Sequence, residues 1–300
     1  MDAKIYQSKK FIIFFLLPAF IMMFVFLYYP FFRNIINSFE DIKYLGASAT
    51  GWNTPVYKNY KHVIDDPKMV IALKNTIIMI LVTIIGQVGI ALLLALLVSN
   101  IKKGAGFFRV VYFFPIVVSA TALGLLFNLV FLYVSGDGGG MINQILDATG
   151  IVAKENAIDW KAEFPLFTMM TPVVWQYVGF YFIIMLTGLS GIPEDLYEAA
   201  SIDGATRFQR VKYITLPLLR NSICTCVVLA VTGALKVFDL PWTMFVNGMS
   251  NTWLTGTYMY FKTKSNVDYS AAIAVVIVIL GVILSFVVNR VFKTNDDYEV

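Results

Sequence analysis

The sequence predicts an all-α, polytopic membrane protein with about six transmembrane helices, and three observations predict it. Of its 300 residues, 58% are hydrophobic and 14% are charged, against about 45–50% and 25% in soluble domains. The apolar residues collect into long runs almost free of charge; crossing about 30 Å of hydrocarbon takes about twenty such residues, and a soluble core needs no run of that length. Lysine and arginine crowd the short segments between alternate runs, the bias that marks cytoplasmic loops.

The first run, 11–29, follows Lys4, Lys9 and Lys10. It is longer than the roughly 7–15 residues of a signal-peptide core, and it ends in Tyr28-Tyr29-Pro30 rather than a small-residue cleavage site, so it reads as a retained span. Further spans are expected at 70–99, 110–133, 167–189, 222–240 and 269–291. The second is over-long, which implies tilt or extension past the bilayer. Pro115 and Pro172 are tolerable inside spans, because neighbouring helices satisfy the carbonyls they free. Tyr112, Tyr133, Trp175 and Trp242 fall near span ends or in polar turns, where amphipathic rings favour the interface.

One set of loops carries Lys4, Lys9, Lys10, Lys102, Lys103, Arg109, Arg207, Arg210, Lys212, Arg220, Arg290 and Lys293 in short segments; the opposite set spreads its lysines and Arg33 over longer ones. Both termini are therefore expected on the cytoplasmic side. The outer loops, 30–69 and 134–166, include Gly136-Asp137-Gly138-Gly139-Gly140. That run follows a span on the outer face, so it reads as a flexible turn and not a phosphate cradle, which needs a strand before it and a helix after it.

Several function classes are disfavoured. The net charge of +4 is dispersed, with no basic stripe for nucleic acid. A single histidine, His62, and no His/Cys cluster argue against zinc. Cys224 and Cys226, two apart on a helix, face different directions and read as buried thiols. A membrane enzyme would need a nucleophile with its base, or a metal cluster, and neither is visible.

The segment 190–220 is chemically unlike the rest of the chain. Pro193 suits a first helical turn, Glu194 and Asp195 suit its positive end, and Gly204 is a C-terminal stop, predicting a short helix over 193–202. Leu196, Ala199 and Ala200 fall on one small apolar face. A second helix, 206–214, is expected to end near Pro217. Two short helices in a polar loop suit insertion into a groove on a partner protein, and equally suit lying on lipid headgroups.

With Glu198-Ala199-Ala200, Gly204 and Ile214-Thr215-Leu216-Pro217 at intact spacing, this segment resembles the cytoplasmic EAA signature of binding-protein-dependent ABC importer permeases. The form with Asp203 before the glycine is similar to the carbohydrate-uptake group that includes the maltose and glycerol-3-phosphate permeases. Tyr60, Asn75-Thr76, Lys236-Val237-Phe238-Asp239 and Tyr269-Ser270-Ala271-Ala272 extend the likeness over most of the chain, while Pro241–Phe245 departs from it. The resemblance implies one permease domain over 1–300 in the bacterial cytoplasmic (plasma) membrane, forming half of a pathway for a sugar or oligosaccharide. It implies a second homologous permease subunit, two ATPase subunits and an extracytoplasmic solute-binding protein as partners. The coupling to the ATPase would fall to Leu196, Glu198, Ala199, Ala200, Asp203, Gly204, Ile214, Leu216 and Pro217. No GxxxxGK[ST] sequence is present, so no cofactor is expected in this chain, and ATP and magnesium would be held by the partner ATPase.

Polar groups inside a membrane are costly and default to functional candidates. Asn128, Trp175, Gln176, Tyr177, Lys236 and Asp239 are the candidates for a substrate pathway, an aromatic surface beside an amide suiting a sugar's ring face and hydroxyls. Packing is the competing reading of Trp175, Gln176 and Asn128, and Lys236 with Asp239, i and i+3 on one helix, reads first as a mutually neutralising pair. Gln87 is expected to bond a neighbouring helix. A non-sugar solute such as glycerol 3-phosphate is the alternative cargo. A secondary transporter is the less favoured alternative mechanism, since Asp239 is the only clear carboxylate in an expected span and no corresponding broken half-helices are apparent in the sequence.

Overall fold

The computed structural model describes residues 9–99, 101, 104–136, 139–245 and 252–292, with the side chains of Lys9 and Lys10 excepted. Lys4, Lys102, Lys103, Asp137, Gly138 and Lys293, used above for orientation and for the glycine run, lie outside the described residues. Among the described residues the chain is helical, with no strand and one isolated bridge, Glu40 to Trp52.

Four helices are long and apolar enough to cross a membrane: α1 (Phe11–Asn37), α3 (Pro67–Val98), α8 (Pro165–Ser190) and α14 (Val267–Phe292). Two bent pairs pass the same test, bringing the total to six if each pair is one span. These are α4 (Ala105–Val117) with α5 (Ala120–Val130), turned by 97°, and α10 (Arg207–Leu218) with α11 (Arg220–Lys236), turned by 67°. The shorter helices are α2 (Lys58–Asp65), α6 (Met141–Ala148), α7 (Trp160–Glu163), α9 (Glu194–Ile202), α12 (Asp239–Met244) and α13 (Thr255–Thr263).

The stretch 110–133, expected as one span, is divided because Val118 and Ser119 are extended and the Ser119 hydroxyl caps a new helix, accepting from Ala122 N at 3.3 Å. A serine cap satisfies a terminal N–H that a break would otherwise orphan. The stretch 222–240 divides likewise at Val237 and Phe238, which leave the helical region between α11 and α12.

The chain forms two compact units: Met1–Asp66 with Met259–Val276, and Pro67–Tyr258 with Ile277–Val300. In the first, α1 is bare, none of its most apolar window being buried. Beyond it a polar knot forms. Tyr60 Oη and Ser38 Oγ lie 2.7 Å apart, Asn59 donates to Ser38 O and to Asp268 Oδ2, each at 3.1 Å, and the Tyr269 hydroxyl donates to Asp66 at 2.9 Å. Each buried carboxylate thus has a donor, as burial demands.

In the second unit, α8 is the hub, packing on α3 and α4, and its buried face is continuous with that of α11. A Cβ at Gly179 would stand 1.7 Å from Tyr112 O, so α8 and α4 meet at a distance that only glycine allows. Gln87, in a π-turn of α3 (Thr83–Gly89), donates to Val173 O of α8 at 2.9 Å. Asn75 donates to Trp253 O at 3.0 Å, and Thr76 accepts from Thr255 N at 3.0 Å. Thr255 in turn donates to Leu235 O at 2.7 Å, so the α13 entry is stitched onto the last turn of α11.

Candidate functional site

The coupling candidate begins where α8 stops. Pro193 (ψ 134°) ends the extended link, and α9 starts with Glu194 and Asp195 in its first turn, where acidic side chains oppose the positive helix end. At the far end Gly204 takes φ +77°. Its N–H donates to Ser201 O at 3.2 Å and Ala205 N–H donates to Ala200 O at 2.9 Å, the paired bonds of a Schellman stop. Thr206 follows at once with a capping box: Gln209 N donates to Thr206 Oγ1 at 3.3 Å, and Thr206 N donates to Gln209 Oε1 at 2.7 Å. Stop and start occupy three residues, so α9 and α10 form a tight elbow.

No residue of α9 is buried. Leu196 is 42% exposed and Ile202 86%, with Phe208 at 75% on the next helix. Glu198, Ala199, Asp203 and Gly204 are exposed and Ala200 is half-buried. A Cβ on Gly204 would meet nothing within 4 Å, so inside this chain the glycine serves the left-handed backbone rather than a close contact. Ile214 and Leu216 are half-buried and Pro217 is exposed. The second helix does not stop at Ile214: a π-turn over Val211–Thr215 widens it, and it runs through Pro217 to Leu218. The wider turn shifts the backbone bonds by one residue, Leu216 N–H reaching Val211 O, and this accommodates the proline. The elbow is tied by Tyr197 Oη to Thr215 Oγ1 at 3.0 Å and by Arg210 Nη1 donating to Ser201 Oγ at 3.0 Å.

The pathway candidates do not gather in one place. Tyr177, Lys236 and Asp239 line one cavity of about 420 Å³, together with Thr83, Gln87, Thr232, Phe180 and Phe238. Lys236 and Asp239 do not share a helix, since the break at 237–238 lies between them, and no ion pair joins them among the described residues. Asp239 instead accepts from Leu240 N at 2.9 Å. The expected neutralising pair is therefore absent, and both charges are exposed toward the cavity. Trp175 and Gln176 do not line this cavity: Gln176 is buried, 8% exposed, and the Trp175 indole sits edge-on to Phe127 with centroids 5.7 Å apart.

Asn128 belongs elsewhere. Its Oδ1 accepts from Lys161 Nζ at 2.6 Å, and the same ammonium donates to Met244 O at 3.2 Å and sits over the Phe245 ring. Lys161 thus ties α5 to the end of α12 beside a second cavity of about 620 Å³. Burial pushes its pKa below the ordinary 10.5, and Asp159 opposes the shift. Thr83 and Thr232, which also line the cavity, escaped the sequence reading, since a lone threonine in a span gives no signal until packing shows which face meets the cavity. No group of three or more His, Cys, Asp or Glu side chains that could hold a metal occurs among the described residues.

Residues 88–295 match the family described as binding-protein-dependent transport system inner membrane component. The chain is 31% identical to a probable ABC transporter permease of Bacillus subtilis, covering 97% of this chain and 99% of that one. It is 30% identical to a lactose transport system permease of Rhizobium radiobacter, covering 91% and 90%. With an arabinooligosaccharide transport system permease of Halalkalibacterium halodurans it shares 28%, covering 97% and 92%. Its fold matches a chain of a bacterial alginate ABC transporter crystallised with an alginate pentasaccharide-bound periplasmic protein. There the TM-score is 0.76 at 19% identity, over 97% of this chain and 98% of that one.

Proposed function

Because the chain belongs to the family of binding-protein-dependent transport system inner membrane components, we propose that it forms half of the membrane pathway of an ATP-driven importer of a sugar or oligosaccharide. The observation that carries this reading is the α9–α10 elbow. It is a helix pair with a Schellman stop and a capping box at its turn, no buried residue in α9, and apolar side chains left exposed. Exposed apolar groups on a rigid knob are suited to a groove in a partner, and the likeness to a probable ABC transporter permease supports a cytoplasmic ATPase as that partner.

In this reading Leu196 and the small residues Ala199 and Ala200 seat in the ATPase, with Glu198 and Asp203 meeting polar groups at the joint. Ile214, Leu216 and Pro217 carry the movement into α11. ATP and magnesium are bound by the two ATPase subunits. A second permease subunit covers part of the apolar window of α1, which no described segment of this chain buries. An extracytoplasmic binding protein meets the outer loops, and both termini lie in the cytoplasm. The cavity of Tyr177, Lys236 and Asp239 takes the solute: aromatic rings offer stacking faces, while Gln87, Thr83 and Thr232 offer hydrogen bonds to hydroxyls. The sugar class draws support from the relatives named for lactose and for arabinooligosaccharides.

The experiment is affinity purification of the tagged chain from membranes in mild detergent, followed by mass spectrometry. Recovery of a second permease and an ATPase supports the proposal. Recovery of this chain alone, under conditions that keep a known importer whole, refutes it.

A further inference from the structure

We propose that the hydrogen bond between Tyr197 and Thr215 is a latch that makes the coupling helix and the π-turn leading into α11 move as one body. The inference rests on the coupling role given above to α9, and it assigns positioning roles to two residues that the EAA signature leaves unspecified, Tyr197 just before its glutamate and Thr215 at the variable position between Ile214 and Leu216.

Thr215 is 3% exposed, whereas the helix that it steadies buries nothing. Its hydroxyl donates to Arg210 O, at 3.4 Å, one of the carbonyls displaced by the π-turn. That leaves the Thr215 oxygen to accept, so Tyr197 is the donor across the 3.0 Å gap. The other side-chain bond across the elbow, Arg210 to Ser201, is exposed and loses most of its worth to competing water. The Tyr197 bond is part-buried and ends on a buried atom, so it is the firmer of the two.

The mechanical consequence follows from the joint. Between α9 and α10 the chain turns through Gly204 at φ +77°, and the π-turn is a second compliant point, its bonds spanning one residue more than an α-turn. A push on α9 that met only these two would be absorbed by rotation at the glycine. Tyr197 bridges both, tying the middle of α9 to the last residue of the π-turn, and so closes a triangle that cannot flex at one corner.

The test is hydrogen exchange by mass spectrometry on the whole reconstituted importer, with and without Mg·ATP. In Tyr197→Phe and Thr215→Val, the ATP-linked change over 194–202 stays, while that over 211–236 falls about fivefold, the loss of one net hydrogen bond. Thr215→Ser keeps the hydroxyl and the native response, and the double variant is no worse than either single one. A native response over 211–236 in Tyr197→Phe overturns the latch, and this variant removes only a hydroxyl should Thr215→Val fail to assemble. Ala200→Leu separates the two readings. It loses the ATP-linked change in both segments if α9 docks on the ATPase, and a native change there overturns the coupling role whatever the Tyr197 variants do.

Discussion

Lys161 shows how a single side chain can organise ends of helices that sequence places far apart. Its ammonium reaches Asn128 at 2.6 Å and Met244 O at 3.2 Å, so α5, α7 and α12 share one donor. Lys161→Met keeps the apolar stem and removes the donor; the loss should cost about 1 kcal/mol, the site being only partly shielded, and lower the thermal unfolding midpoint. The lowered pKa means that the unfolded chain binds this proton more tightly than the folded one. Stability should therefore rise with pH between the lowered value and 10.5, and Lys161→Met should remove that increment. Gly204 gives the complementary case. With φ at +77° and nothing within 4 Å of a Cβ, Gly204→Ala pays conformational strain alone, about 1 kcal/mol. Gly204→Val should cost more and reduce uptake while membrane insertion, read by protease protection, is unchanged. Uptake equal to the native level in Gly204→Val would remove the glycine from coupling.

At the scale of elements, the helices are set by close approaches that few residues permit. Gly179 is the sharpest: a methyl 1.7 Å from Tyr112 O has no room, so Gly179→Leu should force α8 and α4 apart. Overpacking of this kind costs about 3 kcal/mol or more, and the variant should fail to yield a monodisperse complex on size-exclusion chromatography. Gly86→Ala, facing the movable Val174 side chain at 3.2 Å, should be tolerated in the same assay. The α9 elbow was legible because each signal is local: Pro193, the acidic first turn, and the left-handed stop at Gly204 all act within one turn of themselves. The division of α11 from α12 was not legible. Val237 and Phe238 carry no breaking signal; the break is held by tertiary structure, Thr255 taking the Leu235 carbonyl while a Cβ at Gly256 would press on Val237 O at 2.6 Å. The misjudged Lys236–Asp239 pair follows from that hidden break, and the Asn128 assignment missed a lysine 33 residues away.

At the scale of the whole molecule, the composition settles the membrane class and the family settles the kind of machine. The cavity that gathers Tyr177, Lys236 and Asp239 holds both charges unpaired, which intramembrane cost permits where they face water or solute. Lys236→Ala or Asp239→Ala should therefore reduce solute uptake several-fold without loss of assembly, measured with radiolabelled lactose and arabinooligosaccharides. The same Asp239 is the residue on which ion-coupled transport would have to rest, so the energy source is the decisive quantity. The most direct measurement is solute accumulation by proteoliposomes carrying the purified complex, with a solute-binding protein outside. Uptake that requires ATP within the lumen and is indifferent to proton and sodium gradients is the predicted result; uptake driven by either gradient with no ATP present would contradict it.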